Sequence, residues 1–149
     1  GSNQSFQSSN DALRSRYVSC VEGLECTRDR RLGRPLGTFD RPRPRRAEVR
    51  RSERSQRHVE LALETLAELA ALLSDVDAAD SDRIAAAFED ALTRVRALDD
   101  PAFAGVDNPG GRLRVEALMQ SVDQAMQTAQ NQIGPALGVA AGFNSLDGD

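Results

Sequence analysis

At 149 residues, with 40% hydrophobic and 28% charged residues, the chain suits one folded domain or half of a larger one, and a wholly disordered chain is excluded. No window approaches the roughly 18–20 apolar residues of a membrane span, so no membrane-crossing segment is expected. All 19 basic residues are arginine, and their placement is lopsided. Residues 1–57 hold 14 Arg against 7 acidic residues, a net of +7; residues 58–149 hold 5 Arg against 16, a net of −11. Phosphate-binding stripes usually occur in domains of high pI, so at pI 5.1 the two segments are expected to neutralise each other and no nucleic-acid partner is expected.

Gly1 and Ser2, with no Met before them, read as the scar of a cleaved tag, and the chain as a piece of a longer precursor. Residues 1–9 read as that scar and a flexible lead-in, with one helical domain over residues 10–149. Ser9 or Asn10 offers an N-cap, and Leu13, Tyr17, Cys20 and Leu24 follow on one helical face. This first helix is expected to reach Leu32 and stop at Gly33 and Pro35. Cys20 reads as a small core residue. Cys20 and Cys26 lie six residues apart, about 120° from facing each other on a helix, so a disulfide would require a break at Gly23.

Residues 33–44 hold three prolines and two glycines, which exclude a regular helix there. Arg41, Arg43, Arg45 and Arg46 in and after this loop lack the aromatic interleaving of an RNA platform. A second helix is expected from Ser52 or Ser55, with Val59, Leu63, Leu66, Ala70 and Leu73 at strict 4-3-4-3 spacing and Leu69 and Leu72 widening the stripe. Asp80 or Ser81 caps a third helix with Ile84, Phe88, Ala91, Val95 and Leu98 inward. Breakers fill residues 99–111, and a fourth helix is expected from about Arg112 to Ile133, with Val115, Leu118, Val122, Ala125 and Ala129 inward. Four helices on moderate loops predict an all-α four-helix bundle. The small apolar tail from Gly134 reads as an extended segment docked on the bundle through Leu137, Val139, Phe143 and Leu146.

Catalytic patterns are sparse. His58 is the single histidine, and Glu60, two residues on, points to another face, so the pair cannot share a metal as helix neighbours. Asp147 and Asp149, with the terminal carboxylate, form an acidic group suited to hard cations. Asp75, Asp77, Asp80 and Asp82 alternate as in a calcium loop but lack its Gly and closing Glu, so helix capping explains them better.

The segment LGRPLGTFDRPRPRRAEVRRSERSQRHVELALETL resembles the central region of imelysin-like proteins, with its R-P-L-G turn, Pro/Arg loop and R-S-x-R-S helix start. The tail ALGVAAGFNSLDGD is similar to the end of that family, and the helices between fit its order. The resemblance covers most of residues 28–149. It implies a bacterial periplasmic protein, often a lipoprotein anchored through a removed N-terminal segment, associated with iron acquisition. It also implies a fold of two helical bundles, of which this chain supplies the C-terminal one.

On matching positions the resemblance marks Ser52, Glu53, Arg54 and Ser55 at the helix start and Asn144 in the tail as binding residues. It adds Asp147 and Asp149 as ligands for iron or zinc. The family's G-x-H-x-x-E motif, taken as its metal or active site, belongs to the N-terminal half and is absent from this sequence. The leading expectation is therefore a non-catalytic binding bundle, partnered by its missing N-terminal half and by an iron-uptake component. The alternatives are part of a metallopeptidase, and a structural bundle that docks a partner through its basic loop.

Overall fold

The structure is a computed structural model that describes residues 2–37, 55–75, 80–100 and 103–139. Helix α1 (Ser2–Cys26) passes without a break into a π-helical stretch, Thr27–Gly33, and a last turn, Arg34–Leu36. Helices α2 (Ser55–Leu73), α3 (Ser81–Ala97) and α4 (Pro109–Gln132) follow, with 3₁₀ turns at Ala104–Asp107 and Pro135–Leu137. Among the described residues there is no strand, and the chain is an all-α bundle.

Cross-contacts give the topology. Cys20 approaches Leu66, and Arg31 donates to the His58 carbonyl, so α1 and α2 run antiparallel. Arg96 pairs with Glu60 and Glu64, Ser121 donates to Asp90, and Arg28 pairs with Asp123. Each helix therefore runs antiparallel to the next, and α4 returns beside α1, the up-down-up-down arrangement.

The spacing written in the sequence is the spacing of the core. Val59, Leu63, Ala70 and Leu73 of α2 are buried, as are Ile84, Phe88, Ala91, Val95 and Leu98 in and after α3. The five inward positions of α4 are fully buried. The stripe of α2 is narrower than expected, because Leu72 is 67% exposed. Asp80 caps α3, its Oδ1 accepting from the Arg83 N–H at 3.1 Å, and Ser74 closes α2 by donating to the Ala71 carbonyl.

The helix boundaries differ from the sequence reading in four places. First, α1 starts at Ser2 and runs through Ser9 and Asn10 rather than starting from a cap there, since no Pro or Gly interrupts residues 2–10. Second, it does not stop at Gly33. In the π-helical stretch N–H groups reach back five residues instead of four, and Pro35, which has no N–H, enters at the start of the following turn. Leu24, Leu32 and Leu36 stay buried across this change of pitch, and Gly37, at φ 56°, ends the helix. Third, α4 starts at Pro109 rather than Arg112. Asn108 is the cap, its Oδ1 accepting from the Gly111 N–H at 2.7 Å, and Pro109 takes the first-turn position where a missing N–H costs nothing.

The fourth difference is the start of the tail. Leu137 is buried and Val139 packs against the core, but through a 3₁₀ turn rather than an extended segment. Gly134 permits the approach, for a Cβ there would lie 2.7 Å from Tyr17 Oη and 2.9 Å from the Gln130 carbonyl oxygen. Arg14 holds the turn from outside, its Nε donating to the Leu137 carbonyl at 2.7 Å. Phe143 and Leu146 lie outside the described residues.

Candidate functional site

The up-down order brings the end of α1, the start of α2, the end of α3 and the start of α4 to one end of the bundle, around Ser55. Ser55 opens α2 and is only 1% exposed. Its neighbour Gln56 reaches across to α3, where Nε2 donates to the Val95 carbonyl at 2.8 Å and Oε1 accepts from the Asp100 N–H at 2.7 Å. Asp100 in turn accepts from the Gly105 N–H at 2.8 Å and so fixes the 3₁₀ turn before α4. Arg112, buried in the first turns of α4, donates from Nη1 to the Leu36 carbonyl at 2.7 Å and pairs with Glu116 at 2.9 Å. Arg31 spans from the π-helical stretch to the His58 carbonyl at 3.2 Å. The bonds to the Leu36 carbonyl and from the Asp100 and Gly105 N–H groups satisfy backbone groups at helix and turn ends, and the others add a second partner to helix carbonyls.

The charged residues of this end act across helix boundaries. Glu60 accepts from Arg96 at 2.9 Å and from Arg57 at 2.8 Å, and the two guanidiniums, Arg96 first, hold its carboxyl below the usual range. On the α1–α4 seam, Arg28 pairs with Asp29 at 2.8 Å and with Asp123 at 2.5 Å. On the α3–α4 seam, Ser121 and then Arg94 hold Asp90 low. At the α1–α4 seam, Arg28–Asp123 joins the basic first segment to the acidic second.

Of the residues marked by the resemblance, Ser55 is the one placed within the described structure. Ser52, Glu53 and Arg54 lie outside the described residues, as do Asn144, Asp147 and Asp149. Ser55 and Val139, from which those two segments continue, sit at opposite ends of the bundle: Val139 follows the turn packed on Arg14 and Tyr17, beyond the C-terminal end of α4. Among the described residues no three His, Cys, Asp or Glu side chains converge to hold a metal ion.

His58 is half-buried rather than fully exposed and lines a groove of about 420 Å³ between α1 and α2. Cys26, Thr27, Arg31 and Thr65 line the same groove, with no carboxylate among the described residues of its walls. Cys20 and Cys26 are both free thiols, and the helix is unbroken at Gly23, so the geometry that forbids a bridge holds.

Gln56 is the residue of this end that the sequence reading passed over. Its signal was weak: a polar side chain one position after a helix-start Ser, with partners about 40 residues away. Replacing Gln56 with Leu is expected to lower stability by about 1–2 kcal/mol, because the Asp100 N–H loses its acceptor inside the fold. Urea denaturation reads this directly, and an unchanged midpoint would show that water replaces the clamp at no cost.

The imelysin family model, Peptidase_M75, matches residues 2–129. The match takes in α1 to α3 and nearly all of α4, includes the Ser52–Ser55 segment, and stops short of the G-F-N and D-G-D tail. No curated protein and no solved structure matches the chain. With more than four-fifths of its length matched, including three of the bundle's helices and nearly all of the fourth, the chain belongs to the imelysin family.

Proposed function

We propose that this bundle is the non-catalytic C-terminal part of a periplasmic imelysin-family protein that takes part in iron acquisition. The observation that carries this reading is the family match combined with the histidine content. The single histidine, His58, is preceded two positions earlier by Gln56, so the G-x-H-x-x-E motif of the family is not present in these residues. Three of the described ion pairs, Arg28–Asp123, Arg96–Glu60 and Arg96–Glu64, bridge one helix to another, as a scaffold requires. On this reading iron is cargo, and the bundle supplies a scaffold that completes a site with a second bundle.

Calorimetric titration of ferrous, ferric and zinc ions tests it, using the chain and a variant lacking residues 146–149. Weak or no binding by both proteins is the expected result. Stoichiometric binding at about 1 µM, lost in the shortened variant, would instead make the Asp147 and Asp149 tail a metal site in its own right and overturn the scaffold role. Chelator-sensitive proteolysis by the chain alone would overturn the non-catalytic role.

A further inference from the structure

The outer seam between α2 and α3 is built from small side chains. Ala67 and Ala71 on α2 and Ala85 on α3 line it, and their short side chains leave an open groove of about 600 Å³. Phe88 and Leu92 supply its larger apolar walls. Three carboxylates stand along it: Asp75 in the turn after α2, and Asp82 and Glu89 on α3. All three are exposed, and no ion pair joins them to any cation among the described residues. Arg96, which lines the far end, is already paired with Glu60 and Glu64. Leu72, one helical turn before Asp75, is 67% exposed.

We infer that this groove docks a basic amphipathic helix of a partner protein. An apolar stripe matches the apolar floor, and cations flanking that stripe match carboxylates that pair with no cation among the described residues. Asp82 and Glu89 are seven residues apart, roughly 10 Å along the axis of α3, so a helix laid parallel to the seam meets them with two cations at the same seven-residue spacing. Between those cations, apolar side chains one turn apart fill the space left by the three alanines, the helix-in-groove mode of recognition. A small polyvalent cation would satisfy the carboxylates and leave the floor bare, so the apolar floor argues for a helical partner.

The test is a titration of the full chain, followed by amide chemical shifts, with a synthetic helical peptide of about five turns that carries a leucine stripe and two arginines seven residues apart. A second peptide has the same composition with the arginines moved to opposite faces, and spermine is a third ligand. Asp82→Asn/Glu89→Gln and, separately, Ala85→Arg are the variants; all three positions are exposed, and circular dichroism verifies the fold.

The expected result is saturable binding of the first peptide, with shifts at Ala71, Asp75, Ala85 and Glu89. Weakening of about fivefold is expected in the carboxylate variant at ordinary salt, and loss of binding in Ala85→Arg. Equal binding of the rearranged peptide would overturn the inference. So would spermine reproducing the same shifts at the same affinity, unaltered affinity in both variants, or no shift at these residues.

Discussion

Replacing Gly111 with Ala is expected to destabilise the protein by about 2–3 kcal/mol, while the same change at Gly110, one residue earlier, is neutral or slightly stabilising. The first turn of α4 is pressed against the 3₁₀ turn that precedes it. A Cβ on Gly111 would lie 2.2 Å from the Gly105 carbonyl oxygen and 2.7 Å from its carbonyl carbon. Those are backbone atoms, held by the bond from the Gly105 N–H to Asp100 and by the bond from Asn108 back to the Gly105 carbonyl. The collision cannot be relieved by a rotamer change; either the turn or the start of α4 must move. At Gly110 the nearest atoms are the Asn108 Oδ1 at 3.7 Å and the Arg114 Nη1 at 4.0 Å, ordinary van der Waals distances for a Cβ. There the helical gain of Ala over Gly is the remaining effect. Urea midpoints of the two variants decide the matter. Equal midpoints would mean that the 3₁₀ turn does not rest on α4 as described.

This pair of glycines also shows where the sequence stops being readable. In isolation Pro109, Gly110 and Gly111 are loop formers, and a start for α4 at Arg112 follows from them. The Asn108 cap and the tolerance of a first turn for Pro move the start forward, and the need for Gly at 111 comes from Gly105, a contact set by tertiary packing. The same distinction runs through the molecule. The 4-3-4-3 stripes of α2 and α3 are local properties of a helix in contact with a core, so Val59, Leu63, Phe88 and Val95 could be placed from spacing alone. Leu72 could not, because how wide a stripe is covered depends on which neighbours stand on each side.

The π-helical stretch at Thr27–Gly33 left no periodic trace, since it changes the very period by which helices are read. Gln56 was invisible for the same reason as Gly111: its bonds to Val95 and Asp100 exist because α3 ends beside the start of α2. Of the marked binding residues, Ser55 has its burial fixed by the fold, and its place among four converging helix ends is a property of topology rather than of the R-S-x-R-S pattern.

Alkaline pH is expected to destabilise the native state through Cys20, by an amount as large as any single core substitution. The thiol is fully buried in the face α1 turns to α2, its Sγ 3.9 Å from the Leu66 carbonyl oxygen, and burial pushes its pKa up to about 12 from an ordinary value of 9.0. Below pH 9 both folded and unfolded chains carry the proton, and the group contributes nothing to the pH dependence. As pH rises past 9 the unfolded chain releases the proton and the native state keeps it, so unfolding is favoured by about 1.4 kcal/mol for each further unit, nearing about 4 kcal/mol at pH 12. Tyr17, one turn away in the same core, is raised by burial first and by Cys20 second, and acts in the same direction. The composition makes the effect unusually easy to see. With no lysine and one tyrosine in the chain, and arginine protonated throughout, few other groups lose protons in this range. Thermal unfolding between pH 8 and 11 under reducing conditions, for the native chain and for Cys20→Ala, isolates the thiol. The native chain should lose stability more steeply with pH than the variant does. Parallel loss in the two proteins would show that Cys20 ionises in place, and that the interface between α1 and α2 admits water where the packing of Leu24, Leu63 and Leu66 closes it.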